Sequence, residues 1–252
     1  MLRFAGVLGL SAAIALAFAF FDSPSYAQEK PDPIPPKQAD PHYTDVGFFD
    51  IHVCRWPNRP FFYFTLFSTT RFDDIAAVEM FHPDGTPLGQ MNLGNYRLIQ
   101  DKDKPEKRVF ITFFDLPAGA KEGWYTAHIK TKDGKVYLSR DYVTLKPLPF
   151  AHGFQPAPNA QDISLPTELR WDPVPGATHY KVFVTDLWQP SPLLFESAML
   201  KENRVVLPPG LLKKGGAYRW RVHARDVNED PKLGDFDVGS LSPEIEFSVA
   251  DD

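Results

Sequence analysis

Apolar side chains at alternate positions, in runs too short to form a buried helix, restrict the fold of this chain more than any other feature. The segments "RPFFYFTLF" (residues 59–67) and "RVFITFF" (residues 108–114) are the clearest. Successive side chains of a strand point to opposite faces, so alternation of this kind is the signature of a pleated sheet. Comparable runs cover Gly47–Val53, Phe61–Phe67, Ala76–Phe81, Arg108–Phe114, Trp124–Thr131 and Lys135–Val143. They resume at Thr167–Trp171, His179–Thr185, Arg204–Leu207, Tyr218–Arg225 and Glu244–Val249. "HPDGT" (82–86) and "KDG" (132–134) mark hairpin turns, because Asp-Gly readily takes the positive φ those turns need. A 3.6-residue period surfaces only weakly, near Ser197–Lys201. Many short strands at this spacing predict an all-β chain of two consecutive antiparallel β-sandwiches.

The ends and joints divide the chain as follows. Arg3 precedes an apolar run from Phe4 to Phe21, and Ser25-Tyr26-Ala27 supplies the small-residue pattern of a cleavage site. Residues 1–27 therefore read as a signal peptide, with an uncleaved membrane anchor as the alternative. Export to a bacterial periplasm or exterior follows, and membrane contact only if that segment stays attached. Residues 28–43 form a proline-rich spacer carrying Pro31, Pro33, Pro35, Pro36 and Pro41, a composition that favours extended polyproline II. The sandwiches are expected over residues 44–147 and 148–252, with "KPLPF" (146–150) as the joint.

Charge excludes one class of partner. Residues 28–149 hold 16 basic and 16 acidic side chains, whereas residues 150–252 hold 10 against 15. An acidic chain of this kind does not suit nucleic acid, whose phosphates demand a basic surface. Cys54 is the sole cysteine, so no intrachain disulfide is available and each sandwich must stand on its apolar core. A buried inert thiol and an intermolecular disulfide are the two readings of it.

"LRWDPVPGATHYKVFV" (169–184) and "VVLPPGLLKKGGAYRWRVHARD" (205–226) resemble a fibronectin type III-like domain. The resemblance places Trp171 inside the sandwich, opens the next strand with Tyr180, and makes Tyr218 the corner tyrosine whose hydroxyl ties back to its loop. The first half resembles a bacterial immunoglobulin-like domain, with "EGWYTAHIKTKDGKVYLSRDYV" (122–143) as its terminal hairpin. Such folds imply binding of proteins or polysaccharides, though a fold alone does not confer a function.

Catalytic motifs are missing: there is no G-x-S-x-G elbow, H-E-x-x-H, phosphate loop or dinucleotide fingerprint, and no cofactor is expected. Asp50, His52 and Cys54 alternate on one strand face, but neighbours there are about 6.6 Å apart, so only two could share a metal ion. "DVNEDPKLGDFD" opens like a calcium loop with Asp226, Asn228 and Asp230, yet Pro231 stands where the turn needs glycine. Weak calcium binding or a plain solvated loop are its two readings.

The partner-binding expectation rests on phenylalanine. With Phe62, Phe64, Leu66, Val109, Ile111 and Phe113 turned inward beside Phe49, Ile51 and Val53, alternation sends Phe48, Tyr63, Phe110 and Phe114 to the outer face of one sheet. Exposed rings in such number need a cover. The second half or the spacer can supply it, and so can a partner: a periplasmic or cell-surface protein, or a polysaccharide. For a glycan, Trp56 and Trp188 are the loop platforms, while Trp124, Trp171 and Trp220 lie in strands and are expected in the core. The function predicted is a non-catalytic exported accessory or assembly subunit that docks a partner protein, with carbohydrate binding as the alternative.

Overall fold

Each extended run becomes a strand in the computed structural model, which describes residues 40–100, 102–189, 193–226 and 236–251. Residues 1–27, the expected signal peptide, and most of the expected proline-rich spacer lie outside the described residues. In the first half the strands are β1 (Tyr43–Thr44), β2 (Gly47–Trp56), β3 (Arg59–Thr69), β4 (Ile75–Phe81), β5 (Pro87–Gln90), β6 (Tyr96–Ile99), β7 (Lys107–Asp115), β8 (Gly123–Thr131) and β9 (Val136–Val143). In the second they are β10 (Ala160–Ile163), β11 (Glu168–Arg170), β12 (His179–Asp186), β13 (Leu193–Glu196), β14 (Arg204–Val206), β15 (Ala217–Arg225), β16 (Val238–Leu241) and β17 (Ile245–Val249). The chain is all-β, apart from a single 3₁₀ turn at Phe72–Asp74 among the described residues.

The first half closes β5-β4-β8-β9 over β2-β3-β7-β6, the two-layer arrangement of immunoglobulin-type sandwiches. Phe49, Ile51, Val53, Tyr63, Phe67 and Phe110 meet Val78, Met80, Tyr125 and Ile129 in its core. Both Asp-Gly turns form as expected, with Gly85 at φ 81° and Gly134 at φ 84°. In the second half β11 and β14 cover the sheet built on β12 and β15. Trp171 is 2% exposed and packs edge-on against Tyr180, with ring centroids 5.3 Å apart. Tyr218 closes its corner, its hydroxyl accepting the Lys213 N–H at 2.7 Å.

One pairing was not foreseen. β16 lies parallel to β2, with Val238 opposite Val53, Gly239 opposite Cys54 and Ser240 opposite Arg55. Eleven strands from both halves thereby belong to one sheet. A break makes this possible: Ser242 and Pro243 interrupt the last strand between β16 and β17. Pro243 has no N–H to donate, and the Ser242 hydroxyl takes the Val222 N–H instead, at 3.0 Å. Over the seam, Cys54, Phe62 and Phe236 form a third apolar cluster flanked by Trp56 and Phe64.

Gly239 has no room for a side chain: an added Cβ would lie 2.5 Å from Nε2 of His223 and 2.6 Å from the Phe236 ring. Gly239→Ala should therefore destabilise the protein by about 1–3 kcal/mol, the usual cost of overpacking, read as a lowered midpoint in a denaturant titration. An unchanged midpoint would mean that the seam carries no stability.

Candidate functional site

The four rings expected on the surface are inside. Phe48 is 5% exposed, Tyr63 0% and Phe110 3%, and Phe114 packs against the first core. Alternation is present as expected, but with the opposite phase in β3 and β7. The register aligns Phe49 with Phe67 and Phe110, and Tyr63 with Phe114, all turned toward β4 and β8. Polar groups accompany that choice. Tyr63 donates its hydroxyl to that of Tyr125 at 2.6 Å, and Tyr125 donates onward to the Lys121 carbonyl at 3.1 Å. Phe62, Phe64, Leu66, Val109, Ile111 and Phe113 consequently face the other way.

That outer face is only partly covered. The seam cluster takes Phe62 and Phe64, with Trp56 edge-on to Phe62 at 4.9 Å and to Phe113 at 5.9 Å. Beyond it, Leu66, Val109 and Ile111 wall a hollow of about 450 Å³ whose far side is Phe183, Met199 and Leu241 of the second half. A second hollow of about 530 Å³, walled by Leu187, Gln189, Arg219 and Arg221, shares Phe183 and Leu241 with the first. The two hollows adjoin at those shared side chains and are together termed the trough. Phe113, at the Trp56 end, is 37% exposed.

Titratable groups under the trough are held by burial. His52 Nε2 lies 3.1 Å from Asp50 Oδ2, and the imidazole ring packs tilted against Phe236, with ring centroids 3.8 Å apart. Desolvation lowers the His52 pKa to about 3, so the ring is neutral. The same cause lowers His223 well below its ordinary value. Nδ1 of His223 accepts from the Arg225 guanidinium, whose Nε lies at 3.2 Å and whose second nitrogen lies at 3.1 Å. Arg225 stacks over Phe236 at 4.6 Å, and desolvation brings its pKa down to about 10.

Asp50, His52 and Cys54 do share one face, yet among the described residues no three His, Cys, Asp or Glu side chains are grouped to hold a metal ion. Cys54 is 1% exposed and burial pushes its thiol far above the ordinary range, which leaves it protonated. Asp226 accepts the Val238 N–H at 2.6 Å and so anchors the entry to β16. Its burial raises the carboxyl to about 6, against the lowering effect of that hydrogen bond. Asn228 and Asp230 lie outside the described residues.

The tryptophans divide differently from expectation. Trp171 and Trp220 are core, but Trp124 is 43% exposed with the Arg140 guanidinium 4.7 Å above its ring. Trp124 alternates in β8 with Tyr125, Ala127 and Ile129, which fill the core, so the pleat turns it to the outer face. Of the two loop platforms, Trp56 is half-buried at the end of the first hollow, whereas Trp188 is 72% exposed. No single hollow holds both. The groups that sequence reasoning missed are Phe183, Met199 and Leu241, which only the long-range pairing brings opposite Leu66 and Ile111, and Arg97, which β6 places beside Val109 of β7.

No family model matches this chain, and no curated protein does. Among solved structures, it is similar to Dpr2 Ig1-Ig2 in complex with DIP-Theta Ig1-Ig3, at 10% identity over 82% of this chain and 100% of that one, with a TM-score of 0.28. A second is SGBP-B of the Bacteroides ovatus mixed-linkage glucan utilization locus in complex with a mixed-linkage heptasaccharide, at 12% identity and TM-score 0.22, over 74% of this chain and 41% of that one. A third is a Salmonella alpha-2-macroglobulin mutant, at 13% identity and TM-score 0.25, over 84% of this chain and 15% of that one.

Neutral His52 and His223 bind fewer protons in the fold than in the unfolded chain, so acid destabilises the fold. For His52 the window opens as pH falls below 6.5 and runs to about 3. Asp226 acts oppositely, its burial penalty being relieved below about 6. Moving from pH 7 to pH 5.5 should lower the unfolding free energy by about 1 kcal/mol per histidine, partly offset by Asp226. Urea titrations at the two values measure it, and His223→Leu should flatten the slope. Greater stability at pH 5.5 would contradict the neutral assignment.

Proposed function

We propose that this is a non-catalytic binding protein, exported through its N-terminal segment, that docks a partner protein along the trough as an accessory or assembly subunit. The observation that carries the reading is the incomplete cover of the β3–β7 outer face. Leu66, Val109, Ile111, Phe183, Met199 and Leu241 are each only half-buried, and among the described residues nothing lies across them. Complete burial of such side chains is worth about 1.5–3 kcal/mol each, so their remaining exposed area is an available driving force for association. The ionisable groups nearby support a role without chemistry: His52 is neutral and buried against Phe236, and the Cys54 thiol is protonated and covered.

A glycan reading has one observation in its favour, the exposed indole of Trp188 beside the second hollow. The two readings separate cleanly by experiment. A photo-crosslinking side chain at position 111 should trap one discrete protein in the source cell, and one at the exposed position 136 on β9 should trap none. Ile111→Glu, untagged by the crosslinker, should lose the same partner by at least ten-fold in co-purification while keeping its melting temperature. Retardation by a polysaccharide in affinity electrophoresis, removed by Trp188→Ala and untouched by Ile111→Glu, would displace the protein reading.

A further inference from the structure

The trough carries a charge pattern opposite to that of the protein around it. The chain bears a formal charge of −5, and residues 150–252 are its acidic part. Yet the charged side chains lining the first hollow are Arg97, Lys181 and Arg225, with no carboxylate among them. The second hollow is balanced, since Arg219 and Arg221 meet Glu244 there, at 3.2 Å and 3.6 Å. The reversal is therefore confined to one end.

These three cations are not equally satisfied from within. Lys181 pairs with Glu196 at the rim. Arg97 is exposed on β6 and has no carboxylate at ion-pair distance among the described residues. Arg225 is the telling one. Its two hydrogen bonds go to a neutral imidazole, its face is covered by Phe236, and burial has lowered its pKa to about 10. Glu196 and Asp50 act on it only from beyond ion-pair distance, and a desolvated guanidinium so placed is relieved by an incoming carboxylate, through paired N–H···O bonds in a poorly hydrated place.

Shape narrows the choice further. The hollows adjoin through Phe183 and Leu241, so a peptide segment can set an apolar side chain against their shared wall while a neighbouring side chain reaches the cations of the first hollow.

Resting on the docking reading above, we infer that the segment the trough takes is an extended acidic stretch of the partner, its apolar side chains on Leu66, Ile111 and Phe183 and its carboxylates on Arg97 and Arg225. The order of contact follows from position. Arg97, at the exposed edge strand, meets the incoming charge first, and Arg225 holds it deeper against Phe236.

Three acetylated, amidated hexapeptides of the form Leu-X-Thr-X-Leu-X, with glutamate, glutamine or lysine at X, test this by calorimetric titration against the full chain. The glutamate peptide should bind at least ten-fold tighter than the glutamine peptide, and the lysine peptide weakest. Arg97→Gln and Arg225→Gln should each erase the glutamate preference without changing the affinity for the glutamine peptide. Arg97 is exposed, so its variant keeps the test valid even if Arg225→Gln does not fold. Equal binding of glutamate and glutamine peptides, both lost in Ile111→Glu, would overturn the acidic inference and leave the docking reading standing. Binding of none of the three would overturn both.

Discussion

Three residues of parallel pairing, Val53–Arg55 against Val238–Ser240, decide the arrangement of everything else. Parallel ladders need a long crossover connection, and here nearly the whole chain is the connection. Because β16 also pairs with β15, the seam welds the sheet of one half to that of the other. The outer face of β3 and β7 is thus set beside the outer face of β12 and β15, and the trough is the space left where the two do not meet.

The edge of β2 is protected along its length by unlike partners. Phe49 N–H donates to the His42 carbonyl and Val53 N–H to the Asp237 carbonyl, both at 2.9 Å. Between them Ile51 N–H donates to the Asp141 carboxylate, also at 2.9 Å. A buried N–H left unpaired would cost about 1–3 kcal/mol, so the carboxylate substitutes for a strand that is not there. His42 in turn lies between Asp141 at 2.8 Å and Asp40 at 2.6 Å. Burial pushes the Asp141 carboxyl up, but these hydrogen bonds outweigh it and hold it below the usual carboxylate value. The seam strand is therefore held on one edge by β3 and on the other by buried polar groups of the first half and by β16.

Hydrogen bonding along both edges of β2 fixes the strand next to the trough, and a preformed surface spares a partner the cost of ordering it. The same burial desolvates Arg225, which among the described residues has no carboxylate at ion-pair distance and feels Glu196 and Asp50 only from farther off. Structure and proposed recognition meet at Phe236: it packs in the seam cluster, lies against His52 with ring centroids 3.8 Å apart and covers the Arg225 guanidinium.

Local chemistry was enough to read the strands, the Asp-Gly turns, the inward Trp171 and the Tyr218 corner, because each depends on side-chain alternation or on a turn of a few residues. It was enough, too, to see that β3 and β7 are apolar on both faces. What alternation cannot reveal is phase: when Phe61, Tyr63 and Phe67 compete with Phe62, Phe64 and Leu66, either set can fill a core. That choice fell to partners far along the chain, the Tyr125 hydroxyl for one set and Phe236 for the other. The trough was likewise invisible, since no spacing in the sequence brings Leu66 and Ile111 opposite Phe183 and Leu241. Only a long-range parallel pairing does so, and it has no turn, cap or period to announce it.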